Sequence, residues 1–325
     1  MVRAGYAHII DPELIASAAA AAAGERPHGL VRLKQNRSRV TYEVMLSGGR
    51  RAYLKAETRT PGKSFSLALE AWALEQAAAV GVPVPAPLAL DCSESRFPFR
   101  WLLLSALPGV HLTDANLGPV QEAAVLRECG EFLTRLHGIR TDGFGPLDDE
   151  LYLSTGIVRG SEASWRSFIL RQARSDAGLL AGAGLLSESE AEGCLTAVAA
   201  GVPEREQGWL THGDFDRGHV FVNPATSRLM GVIDFGARES ADPEWELSWP
   251  SIFDTEEAAA ATMQGYREAG GRLNPAVLDC YILVRLLWLT RWRHDAADPA
   301  AGAAWQRLQA RLSANADRGP SIGDR

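Results

Sequence analysis

Three stretches of the 325-residue chain gather residues that can do chemistry. They are His212-Gly-Asp-Phe-Asp-Arg-Gly-His219, Gly231-Val-Ile-Asp-Phe-Gly236 and Asp242-Pro-Glu-Trp-Glu-Leu247. Phosphoryl transfer needs a carboxylate to receive or orient an acceptor hydroxyl. It also needs groups on a nearby loop to hold the Mg2+ that bridges nucleotide phosphates. A tight turn through Gly213 presents Asp214 on a loop. Five residues later, where a short strand begins, His219 can point back into the same cleft. Asp234 ends a second apolar strand, Met230 to Ile233. A turn from Asn223 to Arg228 would join the two strands and bring Asp214, His219 and Asp234 together.

Lys55 closes the apolar run Ala52-Tyr-Leu, an odd core choice unless its ammonium meets a phosphate or a carboxylate. Fifteen residues on, Glu70 lies on a helix expected from about Ser66 to Ala79; Glu75, the competitor, sits nearer the helix end. A Lys–Glu pair that orients the α- and β-phosphates recurs in kinase sites. Taken alone, Lys55 would more often be a solvated strand-end lysine; beside Glu70 and the downstream carboxylates it reads as a nucleotide ligand. The polar run Lys34-Gln-Asn-Arg-Ser-Arg39 lies between two strand-like stretches. Asn36, Ser38 and backbone N–H groups there can contact phosphate. The run has no glycine fingerprint, and an ordinary hairpin turn is the competing reading.

His-Gly-Asp, a metal-serving residue five positions after the Asp, and a following Ile-Asp-Phe together resemble the aminoglycoside phosphotransferase family, a branch of the protein-kinase-like fold. The resemblance spans roughly Val31 to Trp249 and includes Gly81-Val-Pro-Val-Pro85. It implies Asp214 as catalytic base, His212 as the residue that orders the catalytic loop, and Asp234 as principal Mg2+ ligand. It also implies that Ser105 to Leu107 form a hinge whose backbone meets the purine edge of ATP or GTP. His219 is a departure: the family usually has Asn there, which offers an amide oxygen, and Mg2+ prefers oxygen to imidazole nitrogen. His219 can serve the metal through a bound water, or hydrogen-bond Asp214 and set its orientation. A structural histidine beside a vestigial site is the bland alternative. Macrolide phosphotransferases are similar at this position, and that likeness brings GTP into the expectation. His137 reads as structural, and Asp242 and Glu246 as supporting or helix-capping groups.

A strand-rich part and a helical part must position these residues. Asp11-Pro12 opens a first helix that ends near Gly24. Val31 to Val44 and Arg51 to Ala56, with Ser47-Gly-Gly49 as a turn, predict an antiparallel hairpin or meander. Val82 to Pro87 is an extended connector and Trp101 to Ser105 a buried strand. Helices are expected over Pro119 to His137, Trp165 to Ala183, Glu188 to Ala199, from Glu256 onwards, and over Ala276 to Arg293. The expected fold class is α+β, bilobal and protein-kinase-like. Residues 1–107 make a small antiparallel-sheet lobe that binds nucleotide, with the hinge. Residues 108–318 make a larger helical lobe for catalysis and acceptor binding, and 319–325 a disordered tail.

The formal net charge is −7 and the basic residues are scattered, so nucleic acid is not an expected partner. No signal peptide or membrane span is legible, which makes the cytoplasm the default compartment. Cys92, Cys129, Cys194 and Cys280 are too far apart in sequence to suggest a metal knuckle or a redox pair. A monomer or weak homodimer is expected.

The acceptor is expected to be a small molecule with a hydroxyl. The resemblance points to an antibiotic: an aminoglycoside, a macrolide or a basic peptide. A metabolic kinase for a sugar, amino alcohol or homoserine-like hydroxyl is the second reading, and a nucleotide-binding pseudokinase the third. The presence of Lys55, Asp214 and Asp234 argues against the last. Acceptor pockets in this fold lie between the catalytic loop and the C-terminal helices. Asp254 and Glu257 there would suit a cation, and Trp249 and Trp288 an apolar wall. Solvated helix-start charges and core packing are the competing readings of the two pairs.

Overall fold

The computed structural model describes residues 10–35, 39–58 and 66–317. Asn36 and Ser38, expected at the phosphates, and the 319–325 tail lie outside the described residues.

The Asp11 carboxylate accepts from Glu13 N–H at 2.9 Å and starts α1 (Pro12–Ala23), which Gly24 ends in a left-handed conformation. α1 packs Ile15, Ala18 and Ala19 against one face of a five-stranded antiparallel sheet. The sheet runs β1 (Gly29–Gln35), β2 (Arg39–Met45), β3 (Arg51–Glu57), β5 (Arg100–Ser105), β4 (Pro87–Asp91). Side chains alternate along β3 with the period of two that a pleated strand imposes. Ala52, Leu54 and Ala56 enter the α1 core, while Tyr53 and Lys55 face the other way. That second face meets α2 (Leu67–Ala79). The Ser66 hydroxyl caps α2 by accepting from Ala68 N–H at 3.0 Å, which sets Glu70 one turn in, opposite Lys55. β4 adds an edge strand beyond the expected set; Pro87 is tolerated there because an edge position leaves its missing N–H unneeded.

After β5 the chain enters β6 (Val110–His111) and α3 (Pro119–Leu136). β6 joins β11 (Val220–Asn223) and β12 (Arg228–Val232) in a three-stranded sheet. A second five-stranded sheet runs β7 (Arg140–Thr141), β10 (Gly208–Thr211), β13 (Glu239–Ala241), β8 (Phe144–Leu147), β9 (Gly160–Glu162). The remaining helices are α4 (Asp149–Thr155), α5 (Trp165–Gly182), α6 (Glu188–Gly201), α7 (Pro243–Phe253), α8 (Glu256–Glu268), α9 (Pro275–Asp295) and α10 (Ala301–Asp317). The α+β expectation holds, and the long helices stand where the sequence predicts them. β6 to β10 and β13 are additions, since strands of two to four residues are too short to show an alternating pattern. Among the described residues no helix is long and apolar enough to cross a membrane.

Candidate active site

β10 delivers the chain to His212, which is fully buried. Its Nε2–H donates to the Ile233 carbonyl at 2.8 Å, and its Nδ1 accepts from Asp214 N–H at 3.3 Å. Those two bonds require a neutral imidazole protonated on Nε2. Burial lowers the His212 pKa against the opposing pull of Glu246, which agrees with a neutral ring. His212 thus ties the turn that carries Asp214 to the residue just before Asp234. Gly213 makes the turn with φ +81°, and a Cβ there would lie 1.9 Å from the Ala237 oxygen.

Glu246, on α7, holds this turn from below. Its two oxygens accept from His212 N–H at 2.6 Å and Gly213 N–H at 2.8 Å, and His137 Nε2 lies 3.3 Å away. Burial raises its pKa, but His137, His212 and the backbone donors together hold it below the ordinary value. Glu246→Gln puts an amide NH2 against one of the backbone donors. The expected cost is about 1–3 kcal/mol of folding stability, read from urea unfolding. A depressed pKa contributes stability that is present above the unfolded value of 4.5 and lost as pH falls through the folded one. The gap between wild type and Glu246→Gln is therefore expected to narrow in acid.

Asp234 does not end a strand. It lies beyond β12 in a left-handed conformation (φ 67°, ψ 57°), uncommon outside glycine and often met at functional sites. Its Oδ1 accepts from Lys55 Nζ at 2.8 Å, and its Oδ2 is 3.8 Å from His219 Nε2. Lys55 Nζ also donates to Glu70 Oε1. One line of charges therefore runs from α2 through the first sheet to the loop after β12. Burial disfavours both ionised forms, but attraction prevails. Glu70 and Asp234 raise the Lys55 pKa, and Lys55, His219 and His212 hold Asp234 below the usual carboxylate range. His219 Nδ1 bonds the Asp214 carbonyl oxygen at 2.8 Å, so its link to Asp214 goes through the backbone. The Asp214 carboxylate is partly buried; burial raises its pKa, with His219 and His212 opposing.

Lys55, Ser105, Leu107, His219 and Asp234 line one cavity of about 450 Å³, with Glu70 behind Lys55. At the hinge, Ser105 N–H donates to the Ala86 oxygen at 2.9 Å and Ser105 Oγ accepts from Ala86 N–H at 2.8 Å. Sequence reasoning overlooked Arg39, whose guanidinium reaches Glu57 at 3.0 Å and Glu70 at 3.5 Å. It closes the polar run Lys34 to Arg39, in which Asn36 and Ser38 are the residues expected at phosphate. It also overlooked His111, which lines the cavity and meets the Gly218 carbonyl at 2.7 Å through Nδ1. A lone histidine on a two-residue strand carries no sequence signal.

Gly218 also borders a second recess of about 420 Å³, lined with it by Thr113, Asp216, Arg217, Phe253 and Asp254. Burial pushes the Asp254 carboxyl up to about 6, with Arg217 opposing. Of the four acceptor residues expected from sequence, Asp254 alone lines this recess. Glu257 is exposed in the first turn of α8. Trp249 is buried and packs edge-on against Trp288, ring centroids 5.5 Å apart, beneath the Arg285 guanidinium at 4.1 Å. The two tryptophans thus follow the core-packing reading.

A sequence profile of the phosphotransferase enzyme family, APH, matches residues 29–281. The aminoglycoside 3'-phosphotransferase of Streptomyces fradiae is 29% identical over 197 residues, 60% of this chain and 68% of that protein. The solved structure of aminoglycoside phosphotransferase APH(4)-Ia superposes with a TM-score of 0.67 at 20% identity, covering 93% of this chain and 99% of that one. Macrolide 2'-phosphotransferase type I gives 0.60 at 17% identity, covering 92% and 96%. These likenesses bear out the bilobal kinase-like fold. The chain belongs to the phosphotransferase enzyme family and is a kinase that acts on a hydroxyl group of a small molecule.

Proposed function

We propose that this enzyme moves the γ-phosphate of ATP or GTP to a hydroxyl of an antibiotic, and that the modification inactivates the drug. The observation that carries the reading is the convergence of Lys55, His219 and Asp234 on one cavity whose neighbouring recess opens beside the Asp214 loop. Asp214 takes the acceptor proton, and burial keeps its carboxylate basic enough to do so. Lys55, set by Glu70, meets the nucleotide phosphates. Asp234 and His219 would hold Mg2+, which neutralises charge on the phosphates when bound. Asp234 fits that role, since it is held ionised and its Oδ1, not its Oδ2, takes the Lys55 bond. His219 Nε2, 3.8 Å from Oδ2, would serve the ion through a bound water, because Mg2+ prefers oxygen to imidazole nitrogen. Among the described residues no group of three or more His, Cys, Asp or Glu could hold a metal, so nucleotide phosphates and water would have to supply the remaining ligands. In this reading Ser105 to Leu107 form the hinge that receives the base, with the lobes dividing after Leu107; Ser105 and Leu107 both line the cavity, which supports it.

Structures of APH(4)-Ia variants in ternary complexes with ADP or AMP-PNP and hygromycin B support the choice of cosubstrate and acceptor class. In this chain the acceptor recess offers Asp216 and Asp254 to an amine and the Phe253 ring to an apolar group. That chemistry suits an amino-sugar antibiotic. Coupled nucleotide-turnover assays across aminoglycosides, macrolides, basic peptides, sugars and amino alcohols decide the matter, with product identified by mass spectrometry. An antibiotic is expected to be the best substrate. Turnover confined to sugars or amino alcohols removes the antibiotic reading. We further propose a cytoplasmic monomer or weak homodimer that binds neither nucleic acid nor membrane; sedimentation at several concentrations tests the oligomeric state.

A further inference from the structure

His111 lines the nucleotide cavity, yet phosphoryl transfer leaves its imidazole unused. It stands on β6 opposite Phe221 of β11, and both side chains line the cavity. Their ring centroids lie 4.3 Å apart, which fixes the imidazole plane. Nδ1 lies 2.7 Å from the Gly218 carbonyl oxygen, which can only accept. The neutral ring therefore carries its proton on Nδ1 and a lone pair on Nε2. Among the described residues Nε2 has no partner, and it is open to solvent. Leu107, four residues earlier, belongs to the hinge side of the cavity, and Gly218 adjoins His219 on the Asp234 side. A nucleotide that spans the two sides carries its ribose between them.

The chemistry of Nε2 narrows what it can meet. Phosphate oxygens only accept, so a lone pair gains nothing from them. The polar edge of the base goes to the hinge. The donors left on a nucleotide are the ribose hydroxyls. We propose that His111 Nε2 accepts a hydrogen bond from a ribose hydroxyl of the nucleotide, and that His111 thereby makes the site prefer ribonucleotides to deoxynucleotides. A fixed acceptor built for a hydroxyl rejects the analogue that lacks it, since the acceptor is then left unpaired. The bond to Gly218 holds the ring for that task, and Gly218 also borders the second recess. The proposal rests on the reading of this cavity as the nucleotide site. It goes further by naming a residue that selects the sugar.

The test titrates the full chain with ATP and GTP and with their 2'-deoxy and 3'-deoxy forms, by calorimetry, with Mg2+ and without acceptor. In the wild type one of the two deoxy forms is expected to bind about three- to tenfold more weakly than its parent nucleotide, and which one identifies the hydroxyl. In His111→Asn the ratio of parent to deoxy affinity is expected to fall to about one. The Asn amide N–H stands near the place of Nδ1–H and can keep the Gly218 bond, while nothing replaces Nε2. Circular dichroism checks the fold of the variant. Equal binding of the parent and both deoxy forms by the wild type overturns the proposal with no variant needed. A folded variant that keeps the wild-type ratio overturns it too, even where every nucleotide binds more weakly, and leaves His111 as a support of the Gly218 turn. In either case measurable nucleotide binding leaves the nucleotide-site reading standing. If the wild type binds none of these nucleotides, both fall.

Discussion

Asp214→Ala is expected to lower turnover by about 10²–10⁴-fold while the nucleotide dissociation constant changes little. Asp214 is not among the residues that line the nucleotide cavity, and its position on the turn is set through the backbone, by His212 and His219. If Asp214 is the base, its loss removes proton transfer without unmaking that cavity. The pH profile gives a second readout. A base works only when deprotonated, and burial raises the Asp214 pKa. Turnover in the wild type is expected to fall as pH drops through a value higher than that of an unburied aspartate. That limb is expected to be absent from the residual activity of Asp214→Ala. Steady-state kinetics across pH, with nucleotide binding by calorimetry, checks both. Wild-type-like turnover in the variant removes Asp214 from the base role.

Asp234→Asn is expected to abolish ion-dependent strengthening of nucleotide binding and to cut turnover by at least about 10²–10³-fold. The substitution is a clean one, because Asn accepts the left-handed backbone that Asp234 adopts. It removes the negative charge that attracts the divalent ion, and it weakens the hold on Lys55, which keeps Glu70. Stability has its own signature. The depressed pKa of Asp234 means that its charge stabilises the fold above the unfolded value of 3.8 and ceases to do so as pH falls through the folded one. At neutral pH the variant is expected to lose that contribution. Calorimetric titration of nucleotide with and without Mg2+ measures the first effect. Undiminished ion dependence in the variant would place the ion elsewhere.

Glu70 shows how far the reading of single residues reached. Its distance from Lys55 and its place near the start of a helix were enough to pair the two, and the pair forms. Arg39 competes for the same carboxylate from β2, and Glu57 joins it. That arrangement depends on β2 and β3 lying in register and on α2 packing beside them, which no local pattern states. His219 repeats the lesson. Its departure from the family is visible in sequence, but whether it touches the Asp214 carboxylate or the Asp214 backbone is decided by the fold of the turn. Trp288 and Trp292 stand four apart, and that spacing predicts a shared helix face; their rings stack at 6.0 Å. Whether Trp288 and Trp249 line a pocket or a core depends on what α7 places against α9, and Arg285 and the other ring fill that space.

By itself the sequence determined the reaction class, the pairing of Lys55 with Glu70, and the long helices. Those features are local: each is a short motif, a cap or a periodic run, and the chemistry of phosphoryl transfer demands few and particular residue types. Tertiary structure alone decided which atom of Asp214 meets His219, which N–H groups Glu246 holds, the sharing of Glu70 with Arg39, and the lining of the second recess. All but the first join residues distant in the chain. Their energies depend on burial and on distances of a few tenths of an ångström, which only the packed fold sets.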